Sequence, residues 1–438
     1  MQAILLSIGD ELALGQTVDT NTAWVAARLA TLGISTVLHE TVSDDQDLIA
    51  ASIGWASTKA DLIIISGGLG PTEDDLTRQA LAQTLGVELV EDAESMKTLE
   101  AFFASRGYQM AERNRVQALC PAGASMIPNT CGTAPGIRAT VNRAEVFVTP
   151  GVPREMKAMV ETSVIPVVQE KLAEADDAVE ARTGKVILAA KINTFGYGES
   201  DAAEKLGDLM QRDRNPVVGT TVSNGICSIR VRAEYPDADE AQQQLDDTMA
   251  QVEDKLGPTV FGRDETTLQS SLVKLLLQEG KTVATAESCT GGMIGSLLTD
   301  VPGSSAAYRG GWVTYTNELK SSQLGVRPGV IEAHGAVSED VVIAMAEGAR
   351  QRSGADFAVA VSGVAGPGGG TEEKPVGTVW LALATPQGTT ARLAHLLGNR
   401  ASIRDRAAKC ALQMIRLTLL GQDLDHIRWL ARDAAKAK

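Results

Sequence analysis

Three textures of hydrophobic and polar residues follow one another along the chain. In the first, short apolar runs alternate with stretches of helical period. "AILLSI" (3–8) and "DLIIIS" (61–66) have the length of buried strands. The first ends in Gly9-Asp10-Glu11 and the second in Gly67-Gly68-Leu69-Gly70. "NTAWVAARLATLG" (21–33) reads as a helix with Asn21 as N-cap and Gly33 past its end, and "LTRQALAQTLG" (76–86) is helical again. "EVFVTPGVPREMKAMV" (145–160) is a third strand, loop and helix. This alternation predicts a parallel sheet covered by helices, with ligands at the carboxyl ends of the strands.

After about residue 173 the pattern changes. "EKLAEADDAVEARTG" (170–184) is charged and poor in large apolar residues. "KVILAAKINT", "GESDAAEKLGDLM", "CSIRVRAEYP" and the acidic helix "DADEAQQQLDDTMAQVEDKLG" follow, and read as a small α+β unit serving as spacer or dimerisation module. Gly257-Pro258 and the polar run "GRDETT" mark a second boundary. From Leu268 the alternation resumes: helix "TLQSSLVKLLLQEG", strand "TVATA", the turn "ESCTGG", strand "DFAVAVSG" with a glycine-rich loop, a hairpin about Pro386-Gln387-Gly388 and a closing helix from Arg400. The expected fold class is α/β: two separate α/β domains, 1–172 and 262–425, joined by an α+β domain, 173–258. The block from 262 onward has its own apolar strands and is expected to fold alone.

Composition narrows the function. The 438 residues carry a net charge of −15, which argues against a general nucleic-acid grip, since that needs a basic face. The five cysteines are scattered with no CxxC pair, which argues against structural zinc or a disulfide framework. "MQAILLSIGDE" lacks a basic n-region and no apolar run is long enough to span a bilayer, so a soluble, reduced, cytoplasmic protein is expected.

Chemistry gathers at two places. "GGLGPTEDDLT" follows a strand and opens a helix, where backbone N–H groups approach an anion. The acids Glu73, Asp74 and Asp75 beside it make sense if a divalent cation lies between them and a phosphate, and Asp10 and Glu11 end the first strand in reach of the same cation. Helix capping by Asp74 or Asp75 would account for one acid only.

The second place is "GSSAAYRGGWVTYTNELK" (303–320). A serine nucleophile needs a base, and the chain has only four histidines, of which His334 sits in a loop and cap pattern. A buried lysine can replace histidine because desolvation disfavours its charged form. The spacing leaves alternatives open. A straight strand separates the serines from Tyr315 unless Gly310-Gly311 bends it, Asn317 can cap the helix carrying Lys320, and Tyr315 and Lys320 could be scaffold. Cys289, between a strand end and an expected helix start in "AESCTGG", is a rival nucleophile or a packing residue.

The motifs "GDELALGQTVDTN", "SGGLGPTEDDLTRQALA", "NTCGTAPGI" and "TPGVPREM" together resemble the molybdopterin-binding-like domain of the competence-damage-inducible CinA family. "GYGESDAAEKL" and "NPVVGTTVSNGICSIRV" resemble its KH-like domain. "TAESCTGG", "GSSAAYRGGWVTYTNELK", "SGVAGPGGG", "EEKPVGTVW" and "GNRASIR" resemble its C-terminal domain. The resemblance implies a metal-dependent pyrophosphatase for ADP-ribose-like nucleotides in the N-terminal domain. Gly67, Gly68, Gly70, Thr72 and Asn21 would bind phosphate or nucleotide there, and Asp10, Glu11, Asp74 and Asp75 the metal. A pterin site is the alternative for this domain. The resemblance further implies a nicotinamide mononucleotide amidohydrolase in the C-terminal domain, needing no cofactor. Ser305 would be nucleophile, Lys320 base and Tyr315 the linking hydroxyl, with Ser288, Thr290, Gly291, Gly363, Gly366 and Arg400 lining the pocket. The departures from the family pattern are Tyr308, Thr316 and Asn399. A homodimer is implied by the family. A non-catalytic pterin- or nucleotide-binding scaffold in competence or DNA damage is the alternative of a different class.

Overall fold

The computed structural model describes residues 1–177 and 186–431, so residues 178–184 of the charged boundary stretch lie outside the described residues. Contacts group residues 1–188 and 234–242 into one compact unit and residues 189–233 and those from 243 onward into the other.

The first unit is built on a six-stranded sheet. Four parallel strands, Ser35–Val42, Gln2–Ile8, Leu62–Ser66 and Ala144–Thr149, are extended by the antiparallel Gly136–Val141 and Ser125–Ile127. The continuous apolar runs are there because both faces are covered. Ile4, Leu6, Ile63, Ile65, Val146 and Val148 enter one core, and Ala3, Leu5, Leu62, Ile64 and Phe147 the opposite one. Parallel pairing brings the ends at Ile8, Ser66 and Thr149 to one edge, where Gly67 N–H donates to the Thr149 carbonyl at 3.0 Å. The first long helix is Asn21–Ala30, and its N-terminal N–H groups are not capped by Asn21. The Asp19 carboxylate accepts from the N–H groups of Asn21 and Thr22, each at 3.0 Å.

The second unit holds two sheets. Val217–Ser223, Ile226–Tyr235, Val186–Phe195 and Val260–Arg263 form the small α+β sheet, accompanied by helices Glu199–Leu206 and Ala238–Leu256, of which residues 186–188, 234–235 and 238–242 group with the first unit. The larger sheet runs Tyr308–Val313, Val283–Glu287, Phe357–Gly363, Thr378–Thr385, Gly388–His395 and Leu430–Ala431. Its first three strands are parallel and the remainder antiparallel, with the expected hairpin closing at the Thr385–Gly388 pair. Val359, Val361, Leu381 and Leu383 face the closing helix Arg400–Leu419. Ala358, Ala360, Trp380 and Ala382 face the helix Glu339–Ser353. A register shift opposite Val283 and Ala284 leaves Arg309 unpaired beside Gly310, so the glycine pair does mark an irregular strand. Thr316, not Asn317, caps the helix Asn317–Leu324, accepting from the Leu319 N–H. Among the described residues no helix is long and apolar enough to cross a membrane.

Candidate functional sites

The carboxyl edge of the first sheet opens into a cavity of about 410 Å³. Gly67, Gly68, Gly70, Thr72, Glu11, Asp74 and Asp75 line it, as do Asp44 and Glu155, which the motif reading missed. Gly67 has φ +114°, and a Cβ there would stand 2.3 Å from the Ile8 carbonyl oxygen, so the loop can turn under the strand edge only as glycine.

The four acids expected to share a cation are not gathered. Asp75 accepts from the N–H groups of Gly70 at 2.7 Å and Thr72 at 2.9 Å and from the Thr72 hydroxyl, so it closes its own loop. Asp10 and Asp44 exchange backbone-to-carboxylate bonds at 2.8 and 3.2 Å. Among the described residues no three His, Cys, Asp or Glu side chains converge as a ligand set. Glu11, Asp44, Asp74 and Glu155 remain around the cavity. Burial raises the Asp44 carboxyl above its ordinary range, with the charges of Asp10, Glu11 and Asp74 acting in the same direction. One or two carboxylates plus phosphate oxygens is how Mg²⁺ is commonly held, so these residues fit a cation shared with a ligand and not a preformed cage. Asn21 holds the strand ends together: its Nδ2 donates to Ser66 Oγ at 2.9 Å and to the Gly151 carbonyl at 2.7 Å.

In the second unit the corresponding edge is formed by Glu287 and Val313, which pair across parallel strands. After Glu287 the chain turns through Ser288–Gly292, with Gly291 and Gly292 at φ +61° and +90°. The Glu287 carboxylate, 1% exposed, accepts from the N–H groups of Ile294 at 3.0 Å and Gly295 at 2.9 Å. It therefore takes the helix N-terminal donors that would have stabilised a Cys289 thiolate. Cys289 packs into the core, and burial pushes its thiol up to about 11.

Lys320, 1% exposed, points back to this turn. Its Nζ donates to Ser288 Oγ at 3.1 Å and to the Thr314 carbonyl at 2.9 Å. Among the described residues no ion pair compensates it, and burial lowers its pKa. Ser305 is not at this place. It lies exposed in the turn Ser304–Ala306, before the strand Tyr308–Val313, while Lys320 follows that strand. The strand's six residues, at a rise of roughly 3.3 Å per step, put about 16 Å between its ends. The strand-end geometry thus corrects the expected Ser305–Lys320 pair to Ser288–Lys320.

Tyr315, 56% exposed, is joined to Arg400 instead of to the lysine. Arg400 Nη2 donates to the Tyr315 hydroxyl at 2.9 Å and Nη1 to the Gly366 carbonyl at 2.7 Å, so these three expected residues do meet. Gly363 ends its strand, paired with Val379. Thr290 is fully buried, and its hydroxyl and that of Thr314 have no partner among the described residues. His334 is paired with Asp340 at 3.4 Å. Arg404, missed by the motif reading although it stands in "GNRASIR", donates from Nε to the Cys289 carbonyl at 3.1 Å and from Nη2 to the Thr290 carbonyl at 2.7 Å. The departures from the family pattern all have partners: Tyr308 meets Thr285 Oγ1 at 2.9 Å, Thr316 caps its helix, and Asn399 caps the closing helix through the Ser402 N–H at 2.9 Å.

Comparison with known proteins gives three family matches: a probable molybdopterin binding domain over residues 4–170, a damage-inducible protein CinA KH domain over 190–262, and a CinA C-terminal domain over 265–419. A competence-damage inducible relative in Symbiobacterium thermophilum is 42% identical over 431 residues, covering 96% of this chain and 99% of its own. A CinA-like protein of Geobacter metallireducens is 41% identical over 420 residues, covering 96% and 100%. The solved competence/damage inducible protein CihA of Agrobacterium tumefaciens is 44% identical over 35% of this chain and 93% of its own, with a TM-score of 0.34.

Proposed function

Since the chain belongs to the competence-damage-inducible CinA family, we propose that its C-terminal domain hydrolyses the carboxamide of nicotinamide mononucleotide, with Ser288 as nucleophile and Lys320 as base. The observation that carries this reading is the 3.1 Å contact between Lys320 Nζ and Ser288 Oγ in a buried setting. A neutral amine accepts the Ser288 proton as Oγ attacks the carboxamide carbon. The tetrahedral oxyanion then collapses. The C–N bond breaks, ammonia leaves with the proton held by Lys320, and an acyl ester remains on Ser288. Water, deprotonated by Lys320, attacks that ester, and as nicotinic acid mononucleotide is released Lys320 returns the proton to Ser288 Oγ. Arg400, presented with Tyr315 at the Gly366 loop, is the cation suited to the substrate phosphate.

The N-terminal cavity supports a second activity, cleavage of an ADP-ribose-type diphosphate. The glycine loop Gly67–Gly70 and Thr72 suit the phosphates, and Glu11, Asp44 and Asp74 suit a divalent cation brought in with them. When bound, that cation would neutralise charge on the diphosphate.

The test of the first reading is ammonia release from nicotinamide mononucleotide by folded single variants. Ser288→Ala is expected to lose about 10³-fold or more. Ser305→Ala and Cys289→Ala are expected to retain most activity. A Ser288→Ala protein that deamidates normally beside a dead Ser305→Ala or Cys289→Ala would refute the assignment.

A further inference from the structure

The Ser288 turn does not hold its shape alone. Gly291 N–H donates to the Ser288 carbonyl at 3.1 Å and Met293 N–H to the Thr290 carbonyl at 3.4 Å, but the Cys289 carbonyl finds its donor on the closing helix, in the guanidinium of Arg404, which reaches the Thr290 carbonyl as well. Gly291 leaves room for that approach: a Cβ there would lie 3.4 Å from Arg404 Nη2. A trans peptide unit is planar, with its C=O and N–H pointing in opposite directions. The Cys289 carbonyl and the Thr290 N–H belong to one such unit. Arg404, by holding that carbonyl, turns the Thr290 N–H away from itself. This N–H has no acceptor among the described residues. The Thr290 side chain is fully buried and its hydroxyl is unpartnered as well. Buried donors are seldom left without an acceptor, because an unmade hydrogen bond costs about 1–3 kcal/mol. Two such groups, two residues after Ser288, are placed for an acceptor that arrives with the substrate.

Resting on the amidohydrolase reading, we propose that Arg404 is a positioning residue for the reaction: it orients the Thr290 N–H as a donor to the oxyanion that forms when Ser288 attacks. Among the described residues Arg404 donates to the Cys289 and Thr290 carbonyls and not to the Ser288 side chain. It acts through the peptide between Cys289 and Thr290. Preorganised donors of this kind commonly account for about 10²–10³ in kcat. The helix that supplies Arg404 supplies Arg400 one turn earlier, and the two have separate work. Arg400 reaches Tyr315 and the Gly366 loop, and Arg404 reaches only turn carbonyls.

The experiment compares Arg404→Met and Arg404→Lys with the unaltered chain in steady-state deamidation of nicotinamide mononucleotide across pH. Arg404→Met is expected to lose about 10²-fold in kcat with KM changed less than about threefold, and the rise of rate with pH that a Lys320 base would produce is expected to stay in place. Arg404→Lys, which can still reach one carbonyl, should recover part of the loss. A raised KM with kcat retained would make Arg404 a substrate contact and overturn the proposal, as would unchanged kinetics. If Arg404→Met fails to fold, Arg404→Lys carries the same comparison. Ser288→Ala separates the two layers. If it is fully active, the amidohydrolase assignment itself fails. If it is dead while both Arg404 variants match the unaltered chain, only the positioning role fails.

Discussion

A lysine with 1% exposure and, among the described residues, no acidic partner within ion-pair distance is a costly side chain unless its neutral form is used. Burial draws the Lys320 pKa below the ordinary lysine value of about 10.4. Two effects of pH follow. In kinetics, kcat/KM should rise with pH as Lys320 loses its proton, with the midpoint below that value. Lys320→Arg should be inactive, because guanidinium keeps its proton. In stability, the folded pKa lies below the unfolded one. Between the two, the unfolded chain binds more protons, so stability increases with pH across that window. The melting temperature of the native chain, measured against Lys320→Met, should therefore climb as the buffer is taken from neutral toward pH about 10. A constant difference, or one that shrinks, would show that Lys320 is not desolvated in solution.

The closing helix Arg400–Leu419 is the element on which the second unit depends. Its first turns serve the Ser288 site through Arg400 and Arg404. Its later turns reach into the α+β segment. Lys409 donates to the Asn224 carbonyl at 3.0 Å, Gln413 to Phe195 at 3.0 Å, and Arg416 to Pro258 at 2.8 Å and Val260 at 2.5 Å. Burial lowers the Arg416 guanidinium to about 10, so it is still charged at neutral pH and needs those carbonyls. Phe195 stacks edge-on against Trp429 at 5.1 Å, and Arg428 pairs with Asp201. A chain begun at residue 262 would take the acceptor from Gln413 and leave Lys409 with Asp405 and Arg416 with Ser271, at about 1–3 kcal/mol for each N–H left buried and unmet. Urea unfolding should find that fragment distinctly less stable than one begun at residue 186. Equal midpoints for the two fragments would contradict this account.

At the scale of the whole molecule, carboxylates surround the N-terminal cavity, whereas the proposed amide chemistry of the second unit is assigned to a serine and a lysine. EDTA is expected to abolish cleavage of ADP-ribose while leaving ammonia release from nicotinamide mononucleotide intact. Both reactions can be followed in one sample, with circular dichroism confirming that the chain stays folded. Loss of deamidation in a folded sample would defeat this division of labour.

Local patterns were enough for much of this protein, because strands, glycine turns and helix starts are dictated by neighbours in sequence. The apolar runs at 3–8 and 61–66, the Gly67 loop, the hairpin at Pro386-Gln387-Gly388 and the closing helix all stand where their residues put them. So do the three family regions, whose motifs are contiguous. Pairings between distant segments were decided by tertiary structure. Ser288 and Lys320 are 32 residues apart and meet because parallel strands end at one edge of a sheet. Ser305 is nearer to Lys320 in sequence and yet about 16 Å of strand stands between them. Asp75 looked like a metal ligand until the loop folded onto it, and Arg404 looked like one more polar residue of a helix until the helix lay against the Ser288 turn. Sequence carries the residue types that a reaction needs. Which of them face one another depends on strand order and direction, and those are set by the packing of the whole domain.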